Sequence, residues 1–196
     1  MINPFQNPAE IIFGGYGGAG DLLRKNAVVL GQQTGLIFKG FGYDVRLSWR
    51  AINARACRFA NELRRLGIER GDRVALFARN SHQWVEALFA LSKIGAVGVT
   101  VNYRLTTPEV EYIVSNAGVR AILCGATEAE TARTVAGKVD SVRWLIGVNG
   151  AAGSDIEEYE TLVARGDERE PVLDAPLRFD EPALLLYTSG TTGFPK

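Results

Sequence analysis

Residues that carry metal or covalent chemistry are scarce in this sequence. Its 196 residues include two cysteines, Cys57 and Cys124, and one histidine, His82. The cysteines lie in unrelated segments without C-x-x-C spacing, which argues against a disulfide framework and against a zinc site. We therefore expect both cysteines to be small core residues in a reducing compartment.

His82 is the one candidate that the sequence offers for an imidazole base. It stands in the first turn of a predicted helix and has no evident carboxylate partner. We expect an ordinary residue at the surface or at a helix start. Trp49, Trp84 and Trp144 are likewise expected to be core anchors rather than the lining of a ligand pocket.

An excess of charge of either sign is also lacking. Lys plus Arg and Asp plus Glu both number 22, so the formal net charge is zero. This balance does not indicate a nucleic-acid or anionic-membrane partner. No stretch approaches the ~20 apolar residues of a membrane span, and the first residues lack the pattern of a secretory signal. We therefore expect a cytoplasmic protein; the oligomeric state stays open.

Residues 187–196, Tyr-Thr-Ser-Gly-Thr-Thr-Gly-Phe-Pro-Lys, have a composition that suits a polyanion. Glycines allow backbone amides to approach phosphate oxygens, hydroxyls are donors, and Lys196 adds a positive charge. A Walker phosphate loop is excluded, because that motif needs Gly-Lys followed by Ser or Thr. An apolar run, predicted to be a buried strand at 183–187, precedes this segment, so we prefer a phosphate loop to a polar linker.

Short apolar strands alternate with helices along the rest of the chain. Ser48, Ser81 and Thr106 each precede a predicted helix, and glycines at 67, 95 and 118 follow these helices. We further expect Asp21 to cap a helix over 21–31, Thr127 with Glu130 to cap 128–136, and Ser154 with Glu157 to cap 155–165. The arginines of the helix after Ser48 are expected to form a solvated face. The fold class predicted is α/β, a mostly parallel sheet flanked by helices, with ligands beyond the carboxyl ends of the strands.

Residues 15–20 contain a literal G-x-G-x-x-G pattern, with Asp44 about where a ribose-binding acid could stand. An NAD-dependent oxidoreductase is therefore an alternative. The pattern lacks a convincing preceding strand, so we expect residues 1–20 to be a flexible arm.

The segment Thr188–Lys196 resembles the signature of the adenylate-forming enzymes, a superfamily of acyl-CoA synthetases, luciferases and peptide-synthetase adenylation domains. Three other segments resemble the same family: Leu47-Ser48-Trp49, the run Gly67–Ala75, and Ile94-Gly95-Ala96-Val97 followed by Val101–Leu105. Thr100 replaces the proline that is usual there. Because the Asp-Pro and Tyr-Pro pairs of amino-acid-activating domains are missing, the resemblance favours a fatty or aryl acid.

The resemblance implies an ATP-dependent ligase in which a carboxylate attacks the α-phosphate of Mg-ATP, and CoA then takes the acyl group. Residues 21–196 would be part of its AMP-binding N-terminal domain. Mg²⁺ would lie near Thr188, and the catalytic residues would lie downstream, with none in these 196 residues. The ATP phosphates would be bound by Thr188, Ser189, Gly190, Thr191, Thr192, Gly193 and Lys196.

The family's remaining segments are absent from the sequence, so we expect a fragment that is inactive alone. A non-catalytic nucleotide- or partner-binding module is the other alternative. The acyl chain length and the thiol acceptor stay open.

Overall fold

The computed structural model describes residues 18–178 and 180–188 of the chain. Helices and strands alternate along most of this part. The six helices are α1 (Ala19–Val29), α2 (Trp49–Arg65), α3 (His82–Ile94), α4 (Thr107–Ala117), α5 (Ala129–Ala136) and α6 (Tyr159–Arg165). The eight strands are β1 (Thr34–Gly40), β2 (Tyr43–Ser48), β3 (Arg73–Phe77), β4 (Val97–Thr100), β5 (Val119–Cys124), β6 (Trp144–Gly147), β7 (Glu157–Glu158) and β8 (Leu184–Leu186).

Six of the strands form one sheet in the order β7-β6-β5-β3-β4-β8, and every pairing in it is parallel. Strands β1 and β2 form a separate antiparallel hairpin. The α/β prediction of a mostly parallel sheet with flanking helices is thereby confirmed.

Helices cover both faces of this sheet, as the short apolar strands predict. On β3, Val74 and Leu76 pack into one core with α1, α2, α3 and α6, whereas Ala75 and Phe77 pack into a second core with α4 and α5. This period of two is the pleat of a strand buried on both faces. Cys57 and Cys124 are fully buried and free, as expected, and burial raises the pKa of each thiol to about 12.

Three helix starts agree with their local sequence. The Ser48 and Ser81 side chains accept hydrogen bonds from Ala51 N and Trp84 N, each at 3.2 Å. At α4 the Thr106 N–H donates to the Glu109 carboxylate at 2.7 Å, which closes a capping box. Each of these signals lies within four residues, so local sequence is enough to predict it.

Other caps were predicted wrongly. Helix α1 starts after Gly18 without a side-chain cap, so Asp21 lies inside its first turn. The Thr127 hydroxyl donates to the Glu128 carboxylate instead of accepting from a backbone N–H, and α5 has no side-chain cap. Glu157 and Glu158 form strand β7, so the Ser154 capping box does not exist. Strand β2 was missed, although Tyr43–Ser48 alternates as a strand would.

The arginines of α2 are not the uniformly solvated face that we expected. Arg55 contacts Glu86, whose side chain is fully buried, at 3.0 Å, and it also binds Glu160 at 2.9 Å. His82 lies 2.8 Å from the same Glu86, and it is buried rather than superficial. The expectation that His82 lacks a carboxylate partner was therefore wrong, because the partner lies one helical turn along the same face.

Strand β8 is less buried than its apolar sequence predicts. Leu184, Leu185 and Leu186 are 39%, 36% and 67% exposed. The strand pairs with β4 on one side and is the last strand of the described sheet. Among the described helices, none is long and apolar enough to cross a membrane.

Candidate functional site

The predicted phosphate loop begins at the carboxyl edge of the parallel sheet. Strand β8 pairs with β4 so that Leu186 lies opposite Thr100. Parallel strands end at the same edge, so Tyr187 and Thr188 leave the sheet beside the segment that follows β4. Thr188 is exposed at this edge. Of the predicted site residues it alone lies within the described part; Ser189, Gly190, Thr191, Thr192, Gly193 and Lys196 lie outside it, so their placement stays a prediction.

Tyr187 anchors the end of β8 to helix α4. Its hydroxyl donates to Asn116 Oδ1 at 2.6 Å, and its ring packs against the core beneath α4 and α5. Burial, together with the nearby phenol of Tyr112, raises the pKa of Tyr187. The hydroxyl therefore stays protonated at neutral pH and can hold this bond, which fixes the residue before Thr188.

Two arginines stack on one tyrosine at the same edge. Arg79 follows β3, while Tyr103 and Arg104 follow β4. The guanidinium carbons of Arg79 and Arg104 lie 5.0 and 5.4 Å from the centre of the Tyr103 ring. This geometry is that of a cation–π contact on each arginine. Asn102 Oδ1 accepts from Arg104 N at 3.0 Å and shapes the turn that presents Arg104.

These two arginines carry positive charge without a compensating acid. Within residues 18–178 and 180–188, neither forms an ion pair, and both side chains are exposed. Unpaired cations at the edge where Thr188 leaves the sheet give this edge a local positive potential in a chain of zero net charge. Arg79 could not be predicted from the sequence, because its proximity to Tyr103 depends on the pairing of β3 with β4.

Metal-binding carboxylates are not gathered here. The described residues contain no group of three or more His, Cys, Asp or Glu that could hold a metal ion. The Thr188 hydroxyl is a hard oxygen ligand of the kind that Mg²⁺ accepts, and Mg²⁺ is commonly held by few protein ligands together with phosphates. Thr188 is therefore the predicted site residue in the described part whose side chain can offer an oxygen to a metal ion.

The geometry does not favour a dinucleotide site. Asp44 lies on β2 of the antiparallel hairpin, where it pairs with Lys39 at 3.4 Å. A dinucleotide fingerprint needs this acid on the second strand of a βαβ unit in a parallel sheet. Residues 15–17 of the glycine pattern lie outside the described residues.

Comparison with known proteins identifies the family. A family model described as AMP-binding enzyme matches residues 23–196, so the chain belongs to the AMP-binding enzyme family. The long-chain-fatty-acid–CoA ligase FadD13 of Mycobacterium tuberculosis is 36% identical over 157 residues, which cover 78% of this chain and 29% of that protein. The feruloyl-CoA synthase of an Amycolatopsis species is 35% identical over 150 residues, covering 76% and 27%. The chain thus spans less than a third of the length of these curated relatives.

Solved structures agree with this assignment. The anthranilate CoA ligase AuaEII, in complex with anthranoyl-AMP, superposes with a TM-score of 0.84 at 25% identity, covering 93% of this chain and 34% of that one. The inhibitor-bound N-terminal domain of FACL13 from Mycobacterium tuberculosis gives a TM-score of 0.78 at 32% identity, covering 90% and 42%. The fold is therefore that of the N-terminal region of adenylate-forming enzymes.

Proposed function

We propose that this chain is the N-terminal part of an AMP-forming acyl-CoA ligase whose substrate is a fatty acid. Residues 21–196 would form the first part of the AMP-binding domain, and residues 1–20 would be an arm before it whose last two residues, Ala19 and Gly20, begin α1. The observation that carries the proposal is the position of Thr188, which follows directly from a parallel strand at the carboxyl edge of the sheet. Relatives named as ligases of long-chain fatty acids, ferulate and 3-oxocholest-4-en-26-oate support the reaction class.

The proposed reaction requires these residues to bind and stabilise charge, and not to form covalent bonds with the substrates. When a carboxylate attacks the α-phosphate of ATP, the P–O bond to the leaving pyrophosphate breaks and negative charge builds on that group. Donors of the 188–196 segment would hold the β- and γ-phosphates, and Arg79 and Arg104 would lower the potential energy of an anion at this edge. Bound Mg²⁺ would neutralise part of the phosphate charge, with Thr188 as its nearest ligand here. CoA would then accept the acyl group through its thiol.

ATP–pyrophosphate exchange tests this proposal. The protein expressed from its full reading frame is assayed with a long-chain fatty acid, ferulic acid and an amino acid as alternative substrates. We expect Mg²⁺-dependent exchange with the fatty acid at a rate at least about tenfold above that with the amino acid. A preference for the amino acid would reject the substrate class, and exchange with none of the acids would reject the ligase.

A binding assay separates the ligase from the two alternatives. We expect ATP, but not NAD, to raise the melting temperature of the same protein, because binding to the folded state alone stabilises it. Stabilisation by NAD alone would favour the oxidoreductase. Stabilisation by ATP without exchange would favour a non-catalytic nucleotide-binding module.

A further inference from the structure

A pocket lies far from β8 along the sheet. It has a volume of about 530 Å³ and opens between the β1–β2 hairpin, the first turn of α3, the loop after β6 and the start of α6. This volume lies within the range of about 300–1,000 Å³ that is usual for small-molecule sites. Four strand spacings separate β6 from β8, which amounts to roughly 19 Å. The pocket is therefore separate from the edge assigned to ATP.

One buried amide on its wall has an unused hydrogen-bond acceptor. Gln83 is only 6% exposed and lines the pocket. Its Nε2 donates to Glu160 Oε1 at 3.1 Å, and since a carboxylate only accepts, this contact fixes the orientation of the amide. Oε1 then has no partner among the described residues. A buried acceptor without a partner is costly, so a donor supplied by a ligand would be stabilising there.

The charges around the pocket are mostly negative. Glu158 and Glu160 line it, and the buried Glu86 lies behind His82. Arg55 is the one cation that contacts this group in the described part, and it is shared between Glu86 and Glu160. Two of the three carboxylates thus share one guanidinium, and Glu158 forms no ion pair within the described residues. In agreement with this potential, burial and the charges of Glu160 and Glu86 raise the pKa of Tyr43.

Aromatic rings form the opposite wall. Phe41 is 50% exposed and Tyr43 is 37% exposed, and both line the pocket. Phe41 adopts φ 54° in the turn between β1 and β2, a position that Asn or Gly fills at lower cost. The Phe41 ring stacks on the ring of Phe38, with the ring centres 5.9 Å apart. The exposed part of the Phe41 ring offers a π face to a cation.

We propose that this pocket binds an organic cation with a planar guanidinium head, either free or on an arginine side chain. The guanidinium would donate to Gln83 Oε1 and to Glu158, and it would stack on Phe41 or Tyr43. Asn149 Nδ2, a buried donor with no partner among the described residues, would bind a carbonyl oxygen of the same ligand. The ligand class is therefore an arginine derivative with a carbonyl group close to its side chain.

Calorimetric titration of the protein with L-argininamide at low salt tests this proposal. We expect saturable binding at one site. Phe41→Asn should weaken it roughly tenfold, because the cation loses an aromatic face. The same variant should keep or raise the melting temperature, because Asn accepts the left-handed backbone. Glu158→Gln, a change at an exposed residue, should weaken binding by a similar factor through the lost charge.

Two controls make the result specific. Glu157→Gln removes an acid from the neighbouring position of β7 that pairs with Arg165 and does not line the pocket, so affinity should stay within about twofold. L-citrullinamide, which carries a neutral urea in place of the guanidinium, should not bind measurably. Equal affinity for citrullinamide, unchanged affinity in both pocket variants, or no binding of L-argininamide at about 10 mM would overturn the proposal. A blocked Gly-Arg-Gly peptide distinguishes the sources: tighter binding of the peptide assigns the site to a basic protein segment, and tighter binding of L-argininamide assigns it to a free metabolite.

Discussion

At the scale of single residues, uncompensated charge identifies the edge at which the predicted phosphate loop begins. Arg70, for comparison, donates hydrogen bonds to Glu181 and to two backbone carbonyls. Its positive charge is therefore compensated within the fold. Within the described part of the chain, the guanidinium groups of Arg79 and Arg104 instead contact only the Tyr103 ring. Cation–π contacts leave the N–H groups available for an anion.

Replacing either arginine should therefore weaken nucleotide binding without unfolding the protein. We expect Arg79→Ala and Arg104→Ala each to raise the KM for ATP about threefold to tenfold in the full-length protein, with a smaller effect at high salt. Initial rates of ATP–pyrophosphate exchange at two ionic strengths measure this. Arg64→Ala removes an exposed arginine of α2 and is the matched control. Equal effects of all three substitutions would show that net charge alone matters.

At the scale of secondary-structure elements, the contact between α2 and α6 determines how closely the helices on one face can pack. Gly166 ends α6 against the backbone of α2, where an added Cβ would come within 2.8 Å of the Arg58 carbonyl carbon and within 2.9 Å of Arg58 Cα. A backbone neighbour cannot rotate away, so the absence of a side chain is required for this approach.

A matched pair of glycines separates this packing effect from helix-end preferences. Gly166 and Gly137 both follow a helix at ordinary negative φ, −71° and −68°, but Gly137 has no neighbour closer than 3.5 Å. We expect Gly166→Ala to lower the free energy of unfolding by about 2 kcal/mol through overpacking. Gly137→Ala should be neutral or stabilising by about 0.5 kcal/mol, because it reduces the entropy of the unfolded chain. Urea denaturation measures both; similar values for the two variants would contradict the packing argument.

Sequence predicts those elements whose signals are local. The caps at Ser48, Ser81 and Thr106 were correct because the hydroxyl oxygen and the backbone N–H that donates to it lie within one turn. The Ser154–Glu157 spacing also fits a bend followed by a strand, and pairing of Glu157 with Ile146 decides for the strand. The fold class followed from alternation, but the contact of Arg55 with Glu86 joins two helices and leaves no mark on the periodicity of either one.

At the scale of the whole molecule, the type of candidate site could be predicted from the sequence, but its position in the fold only in part. Thr188 could be assigned to a strand end because the apolar run before it predicts a strand in a parallel sheet. The burial of that strand was overestimated, since an apolar run does not reveal whether a neighbour covers it. Leu186 on β8 is accordingly 67% exposed.

The expected inactivity of these 196 residues alone follows from what an adenylation step requires. Arg79, Arg104 and Thr188 can attract an anion to one edge, but positioning a carboxylate against the α-phosphate requires protein groups that contact both the carboxylate and ATP. Without such groups, electrostatic attraction lowers the energy of bound ATP and of the transition state alike, which does not accelerate the chemical step. We therefore predict no ATP–pyrophosphate exchange by the purified 196-residue chain with any acid that the full-length protein accepts. We also expect the chain to bind ATP at least about tenfold more weakly than the full-length protein does. Exchange at a rate near that of the full-length protein would show that the reacting groups lie within these residues.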